Sequence, residues 1–173
     1  GYYVKVASEH TNVAMDVLAD MLVNSKFAPD DIARERGVIL EEYNMYQDTP
    51  IYQVGWNFER LLFGDQPMGW SQVGTKELIE NVKHEDFVKY KEALYTPDNI
   101  VVSVVGNVDD RSVVDMVSKY FVFPNGKKKY EWKPYTKVSG GDRVFLHNKK
   151  TEQAHVVIGF YGYPEMHKDH YAL

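Results

Sequence analysis

The sequence contains no cysteine. That absence removes disulfide frameworks, thiolate-bound zinc and thiol nucleophiles together, and it fits a reducing, cytoplasmic compartment. Basic side chains are in the minority, 20 against 25 acids, for a formal charge of -5. No broad positive field exists to gather nucleic acid or an anionic membrane surface, so neither is expected as a partner. Long apolar runs are missing as well: nothing approaches the length of a membrane span, and the opening GYYVKVASEH lacks the basic-then-apolar layout of a secretory signal. There is no internal repeat, and GKKKY is the nearest approach to a low-complexity tract. What remains is 173 residues, 44% hydrophobic and 14% aromatic, enough for one globular domain or a domain and part of another.

The local patterns predict an α/β (α+β) chain, a mixed sheet packed against helices. YYVKV at the start, NIVVSVVG from Asn99, RVFLHN and AHVVIGFYG read as strands, the second as a β-branched run of the kind buried on both faces. Helical spacing of Ala14, Val17, Leu18, Met21 and Leu22 predicts an amphipathic helix with Thr11 at its N-cap. Pro29 suits the first turn of a second helix, which Thr49 and Pro50 end after Asp48. Helical patterns follow in YQVGWNFERLLF, in TKELIENV from a Thr75 cap, in HEDFVKYKEALY, and in DDRSVVDMVSKYF with Asp109 or Asp110 as cap. Residues 124–141 are polar and rich in Lys, Gly and Pro, the composition of a linker. It would separate a first α/β domain at 1–123 from the opening strands and helix start of a second at 142–173. A strand at the first residue and a helix only beginning at Met166 to Leu173 lead us to expect a fragment of something longer.

The helix from Pro29 raises a chemical question. With Ile32 at zero on a helical wheel, Ile39, Tyr43 and Tyr46 fall within about 40° of it, and Val38 and Met45 near about 240° and 220°. Glu35 and Glu42 lie between these groups, at about 300° and 280°. Glu41 falls near about 180°, beside Arg34 and Asp48 on the expected solvent side. An ionised carboxylate in an apolar arc must be paired, hydrogen-bonded, protonated or metal-bound. The wheel does not choose among these, and arginines from elsewhere would serve as well as a metal.

ARERGVILEEYNMYQD, residues 33–48, resembles a segment of the pitrilysin/insulinase-type zinc metallopeptidases, the inverted zincins, whose full pattern is H-x-x-E-H followed several dozen residues later by a ligand glutamate. LFGDQPMGWSQVGTKELI, YTPDNIVVSVVGNVD and TEQAHVVIGF are similar to further stretches of that family, in the same order. The resemblance implies a truncated half of the kind seen in mitochondrial processing peptidase. It implies Glu42 as a zinc ligand and Glu35, two turns earlier, as a carboxylate supporting the site. The implied activity is endopeptidic hydrolysis of peptides or small proteins by the full-length parent, with Zn2+ as cofactor. Partners would be the peptide substrate, the N-terminal helix bearing H-x-x-E-H, and a second half of the parent or a partner subunit.

No H-x-x-E-H occurs in these residues, so the chain by itself is expected to be inactive and to hold zinc weakly if at all. The family also contains subunits that have lost the metal site and act as scaffolds; retention of both Glu35 and Glu42 weighs against that alternative. An unrelated α/β interaction domain with salt-bridged acids is the remaining one. Other histidines are poor substitutes. His167 and His170 in HKDH have a helical metal spacing but no third ligand, and Glu152 and His155 would face opposite sides of a strand. His84 reads as a helix-start residue and His10 as a solvated one. VVGNVDD has one glycine and no lysine, so it is no phosphate loop. Trp56 and Phe58 on a helix and Trp70 in a loop share no regular spacing, which points to packing.

Overall fold

The computed structural model describes residues 1–172 and is helical. Six α-helices follow in order: α1 (Thr11–Val23), α2 (Pro29–Asp48), α3 (Pro50–Phe63), α4 (Lys76–Asn81), α5 (His84–Leu94) and α6 (Asp110–Tyr120). Short 3-10 turns lie at Ser8–His10, Pro67–Gly69, Pro97–Asn99 and His170–Ala172. The chain divides into two compact units: Gly1–Gly37 with Glu80–Trp132, and Val38–Ile79 with the chain from Lys133 on.

The expected mixed sheet is not there. No strand forms among the described residues, and this overturns the α/β (α+β) reading. Val101 and Val105 of the β-branched run are 94% and 95% exposed, and Val144, Leu146, Ile158 and Phe160 stand open as well. The physical reason is that β propensity expresses how well a side chain fits a pleated, half-buried surface, not a preference of the isolated backbone. A strand exists through its ladder, and among the described residues these four stretches pair with no neighbour.

In the first unit α1 packs on α6. Ala14, Met15 and Ala19 of α1, Ala93 of α5 and Phe123 are buried, whereas Val17 and Met21 are exposed. The covered face of α1 keeps Ala14, Leu18 and Leu22 of the expected one but is turned toward Met15 and Ala19, leaving Val17 and Met21 out. Asp109 caps α6 by accepting from the Ser112 backbone N–H at 2.9 Å, which holds its carboxyl below the usual range. Thr11 is not a cap acceptor; its hydroxyl donates to the Ser8 carbonyl. Between α1 and α2, Phe27 adopts φ 48°, a costly conformation for a bulky residue. Its ring stacks on Phe87 at 5.6 Å, with the Lys91 ammonium 5.9 Å from the ring centroid, and these contacts hold it there. Truncating Met15 to Ala removes a large part of this unit's small core and is expected to cost about 2–3 kcal/mol. Urea unfolding checks it; an unchanged midpoint would place the core elsewhere.

In the second unit α3 runs over Pro50–Phe63 and is ended by Gly64, whose φ is 69°. The chain then turns so tightly that a Cβ on Gly69 would collide with the Gly64 carbonyl oxygen. Gln66 holds the later chain by its amide, donating to the Thr136 carbonyl at 2.9 Å and accepting from the Thr136 N–H at 3.1 Å. The Tyr161 hydroxyl donates to the Leu62 carbonyl at 2.6 Å, and Tyr135 meets Phe63 edge-on at 5.5 Å. Thr75 accepts from the Leu78 N–H, the local bond its expected cap role requires. Of the helix start expected at Met166 to Leu173, only the turn at His170–Ala172 forms, and residue 173 lies outside the described residues.

Candidate functional site

Helix α2 carries the acids singled out in the sequence. Pro29 opens it, and Asp30 and Asp31 in the first turn suit the positive end of the helix dipole. At the far end Lys149 donates to the Gln47 carbonyl at 2.8 Å and pairs with Asp48 at 3.2 Å, a cation at the helix C-terminus. The helix therefore has the length and bounds expected from Pro29 and Pro50.

Its faces differ from the wheel. Ile32, Ile39, Leu40, Tyr43 and Tyr46 are half-buried, but Val38 and Met45 are 55% and 52% exposed. The covered arc is shifted toward Leu40, so that Glu42 sits at its margin, half-buried. Glu41 is exposed, as expected, and Glu35 is exposed too. A wheel compresses the helix axis, and Glu35 and Glu42 differ mainly along that axis. Beside the C-terminal half, α3 comes back against α2: the Tyr46 ring meets Tyr52 edge-on at 5.3 Å and Trp56 at 5.1 Å.

Tyr46 lies one helical turn on from Glu42, and the neighbouring carboxylate, by its accepting oxygens and its negative charge, holds the tyrosine hydroxyl above its ordinary pKa. The sequence reading counted Tyr46 only as an apolar member of the arc. Its four-residue spacing from Glu42 was the signal available.

Glu42, half-buried and with its carboxylate chemistry, fits an oxygen ligand of a hard or borderline cation. It fits as a single ligand only, because no group of three or more His, Asp or Glu side chains able to hold an ion stands together among the described residues. The histidines lie apart from it in role. His84 Nδ1 is 2.8 Å from the Phe27 carbonyl, and His10 stands exposed beside Glu9. His167 stacks flat on Tyr163 at 4.2 Å and accepts from the Asp169 N–H. Glu152 is exposed and His155 half-buried, with no strand between them. Trp70 Nε1 donates to Asp65 at 2.8 Å, while Trp56 and Phe58 are half-buried packing residues. No helix among the described residues is long and apolar enough to cross a membrane.

The fold is shared with solved proteases. A protease from Helicobacter pylori superposes with a TM-score of 0.67 at 24% identity, covering 76% of this chain and 32% of that one. The first half of the periplasmic protease PqqL from Escherichia coli gives 0.64 at 18% identity, covering 76% and 28%. In sequence, residues 1–75 match the family model described as insulinase (peptidase family M16), and residues 81–173 match the one described as peptidase M16 inactive domain. The chain belongs to this insulinase-type M16 peptidase family, as its motif wording implied. The zinc protease YmxG of Bacillus subtilis, itself called uncharacterized, is 35% identical over 178 residues, covering 99% of this chain and 41% of its own length. A zinc protease of Rickettsia bellii, likewise uncharacterized, is 34% identical over 161 residues, covering 93% and 38%. The chain thus spans about two fifths of the length of these relatives.

Proposed function

We propose that this chain is part of a zinc-dependent endopeptidase acting on peptides or small proteins, and that Glu42 is a carboxylate ligand of its zinc. The observation that carries the reading is the half-buried Glu42 carboxylate on α2, in a chain whose relatives are named zinc proteases. When bound, zinc polarises the scissile carbonyl and lowers the pKa of its water. Glu42 holds one coordination position, and Glu35 supports the site. The remaining ligands come from an H-x-x-E-H segment that these residues do not contain. The partners are the peptide substrate, the helix bearing that segment, and the second half of the parent or a partner subunit. Residues 124–141 link the first domain, 1–123, to the beginning of a second, and the cysteine-free composition supports a cytoplasmic location. Retention of both acids supports a catalytic parent over a scaffold subunit.

Chelator-sensitive peptide cleavage by the full-length protein, with stoichiometric zinc, tests the reading. Glu35→Gln in that protein is expected to lower turnover about tenfold or more with zinc content unchanged, the behaviour of a group that acts around the metal. Full activity in both Glu35→Gln and Glu42→Gln would overturn the assignment.

A further inference from the structure

We propose that His84, Phe87 and Lys91 of α5 are positioning residues for α2: together they clamp the strained link between α1 and α2, and by fixing the direction in which α2 leaves that link they place Glu42. This rests on the assignment of Glu42 as a metal ligand and adds to it the device that aims the helix carrying the ligand. His84 is no ligand itself; it acts through the chain.

The three side chains stand on one face of α5, at spacings of three and then four residues, and all reach the link. His84 Nδ1 is 2.8 Å from the Phe27 carbonyl, and because a carbonyl only accepts, that ring nitrogen carries the proton and donates. The Phe87 ring stacks on the Phe27 ring at 5.6 Å. Lys91 Nζ donates to the carbonyl of Val23, the last residue of α1, at 2.8 Å and stands 5.9 Å from the Phe27 ring centroid. What they hold is a conformation a bulky residue adopts only at a cost, φ 48° at Phe27, and such a conformation persists where its surroundings over-determine it. No slack separates that residue from the helix. The Ala28 carbonyl already accepts from the Ile32 N–H at 3.0 Å, while Pro29 fixes its own φ and restricts the residue before it. A relaxation at Phe27 therefore swings α2 as a body instead of being absorbed on the way. The segment leading into α5 grips α2 a second time: Arg36 Nη2 donates at 2.6 Å to the carbonyl of Val82, two residues before His84. Glu42 lies about 20 Å along the helix axis from Pro29. A tilt of about 10° at the link displaces a group at that distance by about 3 Å, whereas a working site tolerates about 0.5 Å. The lever is long, and the clamp holds its short end.

The test is zinc retention in the full-length protein, measured by the rate of zinc release to a chromogenic chelator, with amide hydrogen exchange over residues 24–36 and the melting temperature of the metal-free form alongside. His84→Ala deletes the donor. His84→Asn keeps a donating nitrogen near the place of Nδ1 and serves as the rescue. His84 is exposed, so neither change opens a cavity. His84→Ala is expected to speed exchange over the link and to release zinc about tenfold faster, with the metal-free melting temperature nearly unchanged, and His84→Asn to restore both rates. Zinc release at the wild-type rate in His84→Ala overturns the positioning role. So does an equal loss in His84→Asn, exchange over the link left at the wild-type rate, or a fall in metal-free stability large enough to account for the faster release. Faster release in Glu42→Gln alongside wild-type release in His84→Ala would leave the ligand assignment standing and remove only this inference. Wild-type retention by Glu42→Gln removes both.

Discussion

Glu42→Gln in the full-length protein is expected to lower zinc affinity by at least about 100-fold and to take chelator-sensitive peptidase activity down with it. Residues that merely orient a ligand cost about 10- to 100-fold, so a ligand itself must reach the upper end of that range or pass it. The substitution is close to isosteric and removes the negative charge while keeping one carbonyl oxygen. It therefore separates ligation from packing, because Glu42 is only half-buried, at the margin of the covered arc of α2. Helix content and melting temperature of the metal-free form are expected to stay put. Glu41→Gln is the matched control, one residue away on the exposed side of the same helix, with wild-type zinc content as its expected result. Zinc content by elemental analysis after dialysis against a weak chelator gives the answer directly. A Glu42→Gln protein with full zinc would show that the carboxylate serves some other purpose.

The 173-residue chain assayed alone is expected to cleave peptides at no more than the uncatalysed rate, a deficit of roughly 10⁶-fold or more against an active peptidase of ordinary power. Water at neutral pH is a poor nucleophile until a metal lowers its pKa and a base takes its proton, and both need groups that these residues do not bring together. No H-x-x-E-H occurs in the sequence, and no cluster of three metal-binding side chains stands among the described residues. Cleavage of a quenched fluorogenic peptide, with and without chelator, is the measurement. Chelator-sensitive turnover by the isolated chain would mean that the ligands were assigned to the wrong residues.

Sequence reading worked where the determinant was local. Pro29 and Pro50 bound α2 as expected, Thr75 bonds to the Leu78 N–H, and Asp109 caps α6, because each depends on residues within one turn of itself. It failed where a partner distant in sequence decides. The four β-branched stretches have strand composition, but the described residues give them no ladder, so they do not form strands. The face of α2 was misjudged for a related reason: Val38 and Met45 are hydrophobic and still exposed, while Tyr46 on another side of the helix meets Tyr52 and Trp56 of α3. The wheel placed Glu35 and Glu42 alike, and their different burial arises along the axis, which a projection discards. Family membership was legible because motif wording is itself local. The nearness of Tyr46 to Glu42 was within reach of the same reasoning, through its four-residue spacing, but a tyrosine among apolar neighbours reads first as packing.

The corner after α3 shows how a position can be immutable without doing any chemistry. At Gly69 the space a methyl group needs is already taken by a carbonyl oxygen five residues earlier, and the stop at Gly64 relies on a backbone twist that other residues adopt only at a cost. A side chain at either position meets a steric or backbone cost that has nothing to do with the chemistry proposed for Glu42, so the loss of function on replacing either glycine would report folding of this corner and not a working group.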